Sequence, residues 1–540
     1  MVDSTPQERL SQIAKFSTLH PRPEGHKFAY GTAGFRLLGS LLDSVVFRVG
    51  LLAALRSRKL DGETIGVMIT ASHNPPDDNG VKLIDPQGEM LEASWETYAT
   101  KLANAETDDE LTKDYLAVAE ALKINLDSPA NVVFARDTRA SGPALVAALK
   151  DGLQAVAADY TDYRILTTPQ LHYVVKCINT ATTATPYGKP TEEGYYEKLA
   201  TAFQIVTMGK PKPPVITVDA ANGVGGPKLK ELARYIGSDH IDINVVKDEI
   251  DAVEKLNHQC GADFVKTQQK LPLGLEPASL ELYASLDGDA DRIVFYYVDE
   301  ASKFHLLDGD KIASLVAMFI RDLLAVSGVD LQVGIVQTAY ANGSSSKYLT
   351  DILKVPVTVT PTGVKHLHHA AQLFDIGIYF EANGHGTVLF SNSAMKSLES
   401  FEAQNPGQQD AVTTLLSLAA LINQTVGDAL SDLLLVTAIL SHKVWGPDEW
   451  NLAYTDLPNR LVRVVVKDRM AFKTEDAERR LVEPKGLQAQ IDALVKKYKS
   501  GRSFVRASGT EDAVRVYAEA ATRLEADELA VKVSDLLKVL

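Results

Sequence analysis

The sequence predicts an α/β protein of several domains that closes on a small α+β one. Short apolar runs alternate with amphipathic ones for most of the chain, the pattern of parallel α/β units. Its 540 residues are too many for one hydrophobic core and point to roughly three to four domains. Past residue 460 strand-like segments dominate until a final Lys/Glu/Leu helix.

Taken in order, residues 65–69 ("IGVMI") read as a short buried strand, and "NPPDDNG" after them as a rigid, exposed turn. "NVVFARDTR" is a strand followed by the helix "SGPALVAALKDGLQAVAADY". "PPVITVDAANGVGG" leads as strand and Gly-rich turn into the helix "PKLKELARYIG". "DGDKIASLVAMFIRDLLAV", "LQVGIVQTAYANGSS" and "VPVTVTPTGVKHLHHAAQLF" continue the alternation. "TPYGKPTEEG" and "GKPKPPV" have the composition of linkers, and residues 299–311 that of a turn between units. "VWGPDEWNLAYTDLPNR" interrupts the helical pattern, after which "LVRVVVKDR", "GRSFVRASGT" and "VRVYAEAATR" are strands.

Composition excludes some functions. Apolar residues make up 45% and charged residues 23%, as in an ordinary soluble protein. With 55 basic against 70 acidic residues the net charge is −15, which argues against nucleic acid or an anionic membrane as partner. An anionic small substrate therefore needs a local basic pocket. Cys177 and Cys260 have neither disulfide nor zinc spacing. The N-terminus lacks an apolar signal core, and no window reaches the roughly 18 apolar residues of a membrane span. A reducing, cytoplasmic location is expected.

Four loops carry chemistry. In "TASHNPPDDNGVK" the stiffened turn presents the Ser72 hydroxyl at a strand end, as a nucleophile or phosphate carrier requires. It is not a hydrolase elbow, because Thr70 and Asn74 stand where glycines belong. In "LDGDADRIVFYY", Asp287, Asp289 and Asp291 repel one another unless a cation sits among them, and such hard oxygen ligands suit Mg²⁺. An EF-hand is excluded by Arg292 and Val298 where Gly and Glu are needed. In "RASGTEDAVRVY", Ser508, Gly509 and Thr510 offer hydroxyls and open backbone, while Arg506 and Arg515 offer forks that match phosphate. In "YFEANGHGTV", Glu381, Asn383 and His385 alternate at a strand end as a clamp for sugar hydroxyls. "YGTAGFR" adds Arg36. The plain alternatives are a solvated acidic turn, a capped turn and an ordinary loop. "NGVGGPK" fails the dinucleotide fingerprint at Lys228, no Walker A motif occurs, and His366 and His369 read as surface histidines.

Together and in this order the loops resemble those of the α-D-phosphohexomutase superfamily over essentially the whole chain. "TASHNPPDDNGVK" is similar to its phosphoserine loop, "DGDADR" to its metal loop, "EANGHG" to its sugar loop and "RASGTEDAVRVY" to its phosphate loop. The wording of "YGTAGFR" and "EANGHGT", with Phe380 rather than Gly before Glu381, is most similar to the eukaryotic branch that acts on N-acetylglucosamine phosphates. The resemblance implies four domains around a central cleft, three of a shared mixed α/β type and a smaller C-terminal α+β one. They are expected at residues 1–185 (phosphoserine loop), 186–299 (metal loop), 300–440 (sugar loop) and 441–540 (phosphate loop).

The activity so implied interconverts N-acetylglucosamine 6- and 1-phosphate, on the route to UDP-N-acetylglucosamine. It runs through phosphorylated Ser72 and a 1,6-bisphosphate, which also serves as primer. One Mg²⁺ per subunit is expected on Ser72, Asp287, Asp289 and Asp291. Lys82 matches the superfamily's loop lysine and is the first candidate for general base, with His73 and His385 as rivals. Arg36 and Arg292 add positive charge near the transferring group. Glu381, Asn383 and His385 are expected on the sugar, and Arg506, Ser508, Gly509, Thr510 and Arg515 on the distal phosphate. A phosphoglucomutase or phosphomannomutase, a sugar-bisphosphate synthase and a non-catalytic phosphosugar sensor are the alternative readings.

Overall fold

The computed structural model describes residues 6–508 and 512–538, which divide into two compact units. One runs to Leu306 and takes in Ala420–Val444; the other comprises Leu307–Ala419 and Trp445 onward.

The first unit contains two mixed five-stranded sheets. In the first, the strands lie in the order Phe35–Leu38, Asp78–Ile84, Thr64–Ile69, Asn131–Arg136 and Asp159–Ile165. Thr64–Ile69 is buried at every position, as an apolar run inside a covered sheet must be. Beside it the helices Asp43–Lys59 and Gly142–Ala155 cross closely. A Cβ on Gly152 would stand 2.1 Å from the Phe47 carbonyl oxygen, so only glycine permits the approach. In the second sheet the order is Phe304–Leu307, Ile293–Val298, Tyr283–Leu286, Ile216–Asp219 and Ile243–Val246.

The second unit contains a four-stranded sheet in the order Val357–Thr360, Val333–Thr338, Ile376–Phe380, Gly386–Phe390. It also holds a three-stranded antiparallel sheet, Asn459–Val465, Ala513–Glu519, Arg502–Ala507, backed by the helix Arg523–Leu537.

Two expectations need correction. The sheets are mixed rather than parallel, because Phe35–Leu38, Asp78–Ile84, Ile293–Val298 and Gly386–Phe390 join by antiparallel pairing. The turn after Ser72 is also shorter than "NPPDDNG". Asp78, Asn79 and Gly80 already belong to the strand Asp78–Ile84. Asn79 and Gly80 are buried there, and a Cβ on Gly80 would meet the Thr70 and Phe35 carbonyl oxygens at 2.5 and 2.6 Å. Lys82 is consequently a strand residue, paired with Met68. Among the described residues no helix is long and apolar enough to cross a membrane.

Candidate active site

In the first unit the strand Thr64–Ile69 delivers Thr70, Ala71 and Ser72 to the metal loop. Ser72 has φ 52°, a left-handed conformation uncommon for any residue but glycine, and its surroundings hold it there. Its N–H donates to Thr70 Oγ1 (3.0 Å), whose own hydroxyl donates to Asp137 Oδ2 (2.7 Å). Arg139, wholly buried, uses every donor of its guanidinium. Nε donates to Asp137, Nη1 to the carbonyls of Pro75 and Asp78, and Nη2 to those of Ser72 and Asn74. Asn257 Nδ2 reaches the Ser72 and Asn74 carbonyls as well, at 2.8 and 3.1 Å.

The Ser72 hydroxyl is buried, where the sequence predicts an exposed turn. It faces the metal loop and donates to Asp287 Oδ2 at 2.6 Å. Gly288 makes this approach possible, since a Cβ there would stand 2.6 Å from the Ser72 carbonyl oxygen.

Asp287, Asp289 and Asp291 are all buried, with ligand oxygens within 4.8 Å of one another. Burial, then the charges of Asp291 and Asp289, push the Asp287 carboxyl well above the usual carboxylate range, against Arg292 and the Ser72 hydrogen bond. Among the described residues Asp289 Oδ1 has no hydrogen-bond partner although buried. Crowded hard oxygens, one of them unused, fit a divalent cation such as Mg²⁺. The loop is fixed from behind. Thr168 donates Oγ1 to Asp289 Oδ2 (2.6 Å) and its N–H to the Asp289 carbonyl (3.1 Å), and Ala429 N–H donates to the Ala290 carbonyl.

Positive charge surrounds this cluster. Lys82 Nζ lies 3.6 Å from both Asp289 and Asp291, and Arg292 Nε lies 3.8 Å from Asp287. Arg36, opposite Gly80 in the sheet, donates weakly to Asn74 (3.5 Å). Burial and then the Arg292 charge lower its pKa. His73 Nδ1 lies 3.4 Å from Ser72 Oγ, and burial followed by Arg292 and Arg36 lowers the imidazole to about 2. His73 is therefore neutral. The first unit thus brings together Arg36, Ser72, His73, Lys82, Arg292 and the three aspartates.

The other predicted residues lie in the second unit, on two loops. Glu381, Asn383 and His385 sit on the turn between Ile376–Phe380 and Gly386–Phe390. Glu381 N–H donates to the His385 carbonyl and His385 N–H to Asn383 Oδ1, which closes the turn. Gly309 packs against it so closely that a Cβ would fall 1.8 Å from the Glu381 carbonyl oxygen. Asn383, expected on the sugar, thus spends its carbonyl oxygen on the turn.

On the other loop Arg506 stands directly opposite Arg515, and Arg515 opposite Arg463. Like charges facing one another across strands are unfavourable unless negative charge offsets them, and Glu478 Oε2 lies 3.5 Å from Arg506 Nη1. Ser508 is buried and its N–H closes the loop onto the Ala513 carbonyl. Gly509 and Thr510 lie outside the described residues.

Sequence reasoning missed Arg139, Thr168, Asn257 and Arg463. "RDTR" at a strand end and the capping box "TTPQ", in which Thr167 and Gln170 cap each other, carried signals for the first two. Asn257 had none, and Arg463 needed the strand register.

Comparison with known proteins agrees along the chain. Models of the domains of phosphoacetylglucosamine mutase AMG1 match at residues 185–294 (domain II) and 308–445 (domain III). Models of phosphoglucomutase/phosphomannomutase match at 51–110 and 99–185 (α/β/α domain I) and at 461–536 (C-terminal domain). The phosphoacetylglucosamine mutases of Candida albicans and Homo sapiens are each 52% identical, over 97% of this chain and 99% and 96% of their own. The crystal structure of Aspergillus fumigatus N-acetylphosphoglucosamine mutase with GlcNAc-6P and magnesium superimposes with a TM-score of 0.96 at 55% identity, covering 99% of each chain. A variant of that enzyme in complex with glucose 1,6-bisphosphate gives the same score and identity.

Proposed function

The chain belongs to the phosphoacetylglucosamine mutase family of the α-D-phosphohexomutases, and from that premise we propose how its residues perform the reaction. It is an isomerase that interconverts N-acetylglucosamine 6-phosphate and 1-phosphate. The observation that carries the residue assignment is the Ser72 hydroxyl, held 2.6 Å from Asp287 beside two further carboxylates.

Phosphorylated Ser72 gives its phosphoryl group to O1 of the 6-phosphosugar, or O6 of the 1-phosphosugar. The P–O bond to Ser72 breaks as the bond to the sugar oxygen forms, leaving a 1,6-bisphosphate. The bisphosphate then returns its other phosphoryl group to Ser72, which restores the enzyme and releases the isomer. Lys82 takes the proton of the attacking sugar hydroxyl and returns it in the reverse half, with neutral His73 as its rival. Arg36 and Arg292 oppose the negative charge that develops on the transferring group. Asp287, Asp289, Asp291 and a Ser72 oxygen would hold Mg²⁺, which when bound supplies positive charge to the phosphoryl oxygens. Arg506, Arg515 and Ser508, with Gly509 and Thr510, grip the phosphate that is not reacting, while Glu381, Asn383 and His385 meet the sugar. Because the carbonyl oxygen of Asn383 is committed to its own turn, its amide nitrogen is the group left for the N-acetyl substituent.

The four-domain division at residues 185, 299 and 440 accompanies this reading, as does a cytoplasmic location, which suits two buried free thiols. Replacing Ser72 by Ala tests the assignment. Turnover should vanish, and intact mass should lose the phosphate that the active enzyme carries; residual activity near wild type would end the phosphoserine proposal.

A further inference from the structure

Between the strands Lys473–Glu475 and Arg480–Glu483 the chain turns through Asp476, Ala477 and Glu478, all left-handed, with φ 52°, 53° and 67°. Three successive non-glycine residues in that region need outside support. The support is at the tip. Glu478 Oε2 accepts from Thr362 N–H (2.9 Å), from Thr362 Oγ1 (2.6 Å) and from Arg506 Nη1 (3.5 Å). The contact to Arg506 is long, and among the described residues Arg506 Nε is buried with no partner. A carboxylate thus stands against the arginine that faces Arg515, without saturating its fork.

We propose that Glu478 is a resident counter-anion of the phosphate site, competing with the substrate phosphate for Arg506. This rests on the assignment of Arg506 to the distal phosphate. A carboxylate there repels an incoming phosphate and offers Arg506 an alternative partner when the phosphate leaves. That suits a reaction whose bisphosphate must let go of this loop to present its other end, since a grip without a competitor slows release. Thr362 supplies the specificity of the arrangement, because its two hydrogen bonds hold the carboxylate beside Arg506 rather than upon it.

The test is titration calorimetry of N-acetylglucosamine 6-phosphate into enzyme carrying Ser72→Ala, so that nothing turns over. Glu478→Gln retains an oxygen for Thr362 and removes the charge. It should bind the phosphosugar about three- to tenfold more tightly, and in the Ser72 enzyme it should lower KM and kcat together. Thr362→Val, which removes the hydroxyl bond but keeps the N–H one, loosens the carboxylate toward Arg506 and should weaken binding. Unchanged or weaker binding by Glu478→Gln overturns the proposal, as does unchanged binding by Thr362→Val should the Gln variant fail to fold. Arg506→Ala separates the two layers. If it leaves affinity unaltered the phosphate-loop assignment itself fails, whereas weakened binding there without tightening in Glu478→Gln defeats only the competitor.

Discussion

Replacing Arg139 by Lys removes a fork while keeping a positive charge. The guanidinium satisfies five acceptors: Asp137 and the carbonyls of Ser72, Asn74, Pro75 and Asp78. An ammonium has three N–H donors, so at least two of these hydrogen bonds are lost. Each hydrogen bond from the charged guanidinium so lost costs about 1.5–3 kcal/mol, which gives about 3–6 kcal/mol in all. That is a large part of the roughly 5–15 kcal/mol by which a domain is stable. The loss falls on the segment that holds Ser72 left-handed, so the serine should wander. A misplacement of about 1 Å can lower a rate about 100-fold. Hydrogen exchange should therefore show faster opening of residues 70–80, and kcat should fall far more than KM rises. Wild-type exchange in this segment and wild-type kcat in Arg139→Lys would show that the guanidinium does not hold Ser72 in place.

Three further outcomes are expected. Lys82→Met should lower kcat by roughly 100-fold or more, the size of a general acid–base contribution; full kcat would move the role to His73. Thr168→Val takes away the 2.6 Å hydrogen bond that sets the Asp289 carboxylate, and should weaken Mg²⁺ binding about tenfold by calorimetry, with Thr168→Ser restoring it; equal affinity in all three proteins contradicts the role. His20 works against burial but accepts a raised pKa from hydrogen bonds to Asp43 (2.7 Å) and Asp151 (3.1 Å), with both ring nitrogens engaged. Since its folded pKa lies above the unfolded value, its stabilisation is complete below about pH 6.5 and fades as pH rises through the folded value. The melting-temperature gap between wild type and His20→Gln should accordingly shrink from pH 6 to pH 9; a gap that grew would show the sign to be wrong.

What the sequence made legible was local. The run Thr64–Ile69 is buried on both faces, so its periodicity and the prolines behind it placed Ser72 at a strand end. Three alternating aspartates announced a cation because ionised carboxylates so close together repel one another without one. The surface reading of His366 and His369 likewise follows from their helix, Val364–Ala371, where both are exposed. What stayed hidden depends on contacts between distant segments. Arg139 reaches the Ser72 carbonyl across 67 residues and Thr168 reaches Asp289 across 121, and no local pattern encodes such a meeting. The burial of the Ser72 hydroxyl belongs to the same class, because it follows from the packing of Gly288 against Ser72. Lys82 read as a loop residue because glycine at 80 suggested a turn, whereas that glycine makes room for a strand pairing. The row of Arg463, Arg515 and Arg506 emerges only from the strand register.

The interconversion of N-acetylglucosamine phosphates can be followed directly by ³¹P NMR. Wild-type enzyme with Mg²⁺ and a trace of 1,6-bisphosphate would be given the 6-phosphates of N-acetylglucosamine, glucose and mannose in parallel. The 1-phosphate signal of N-acetylglucosamine should grow fastest and disappear with Ser72→Ala. Faster turnover of glucose or mannose phosphate would contradict the substrate assignment, and turnover that survives the loss of Ser72 would contradict the mechanism.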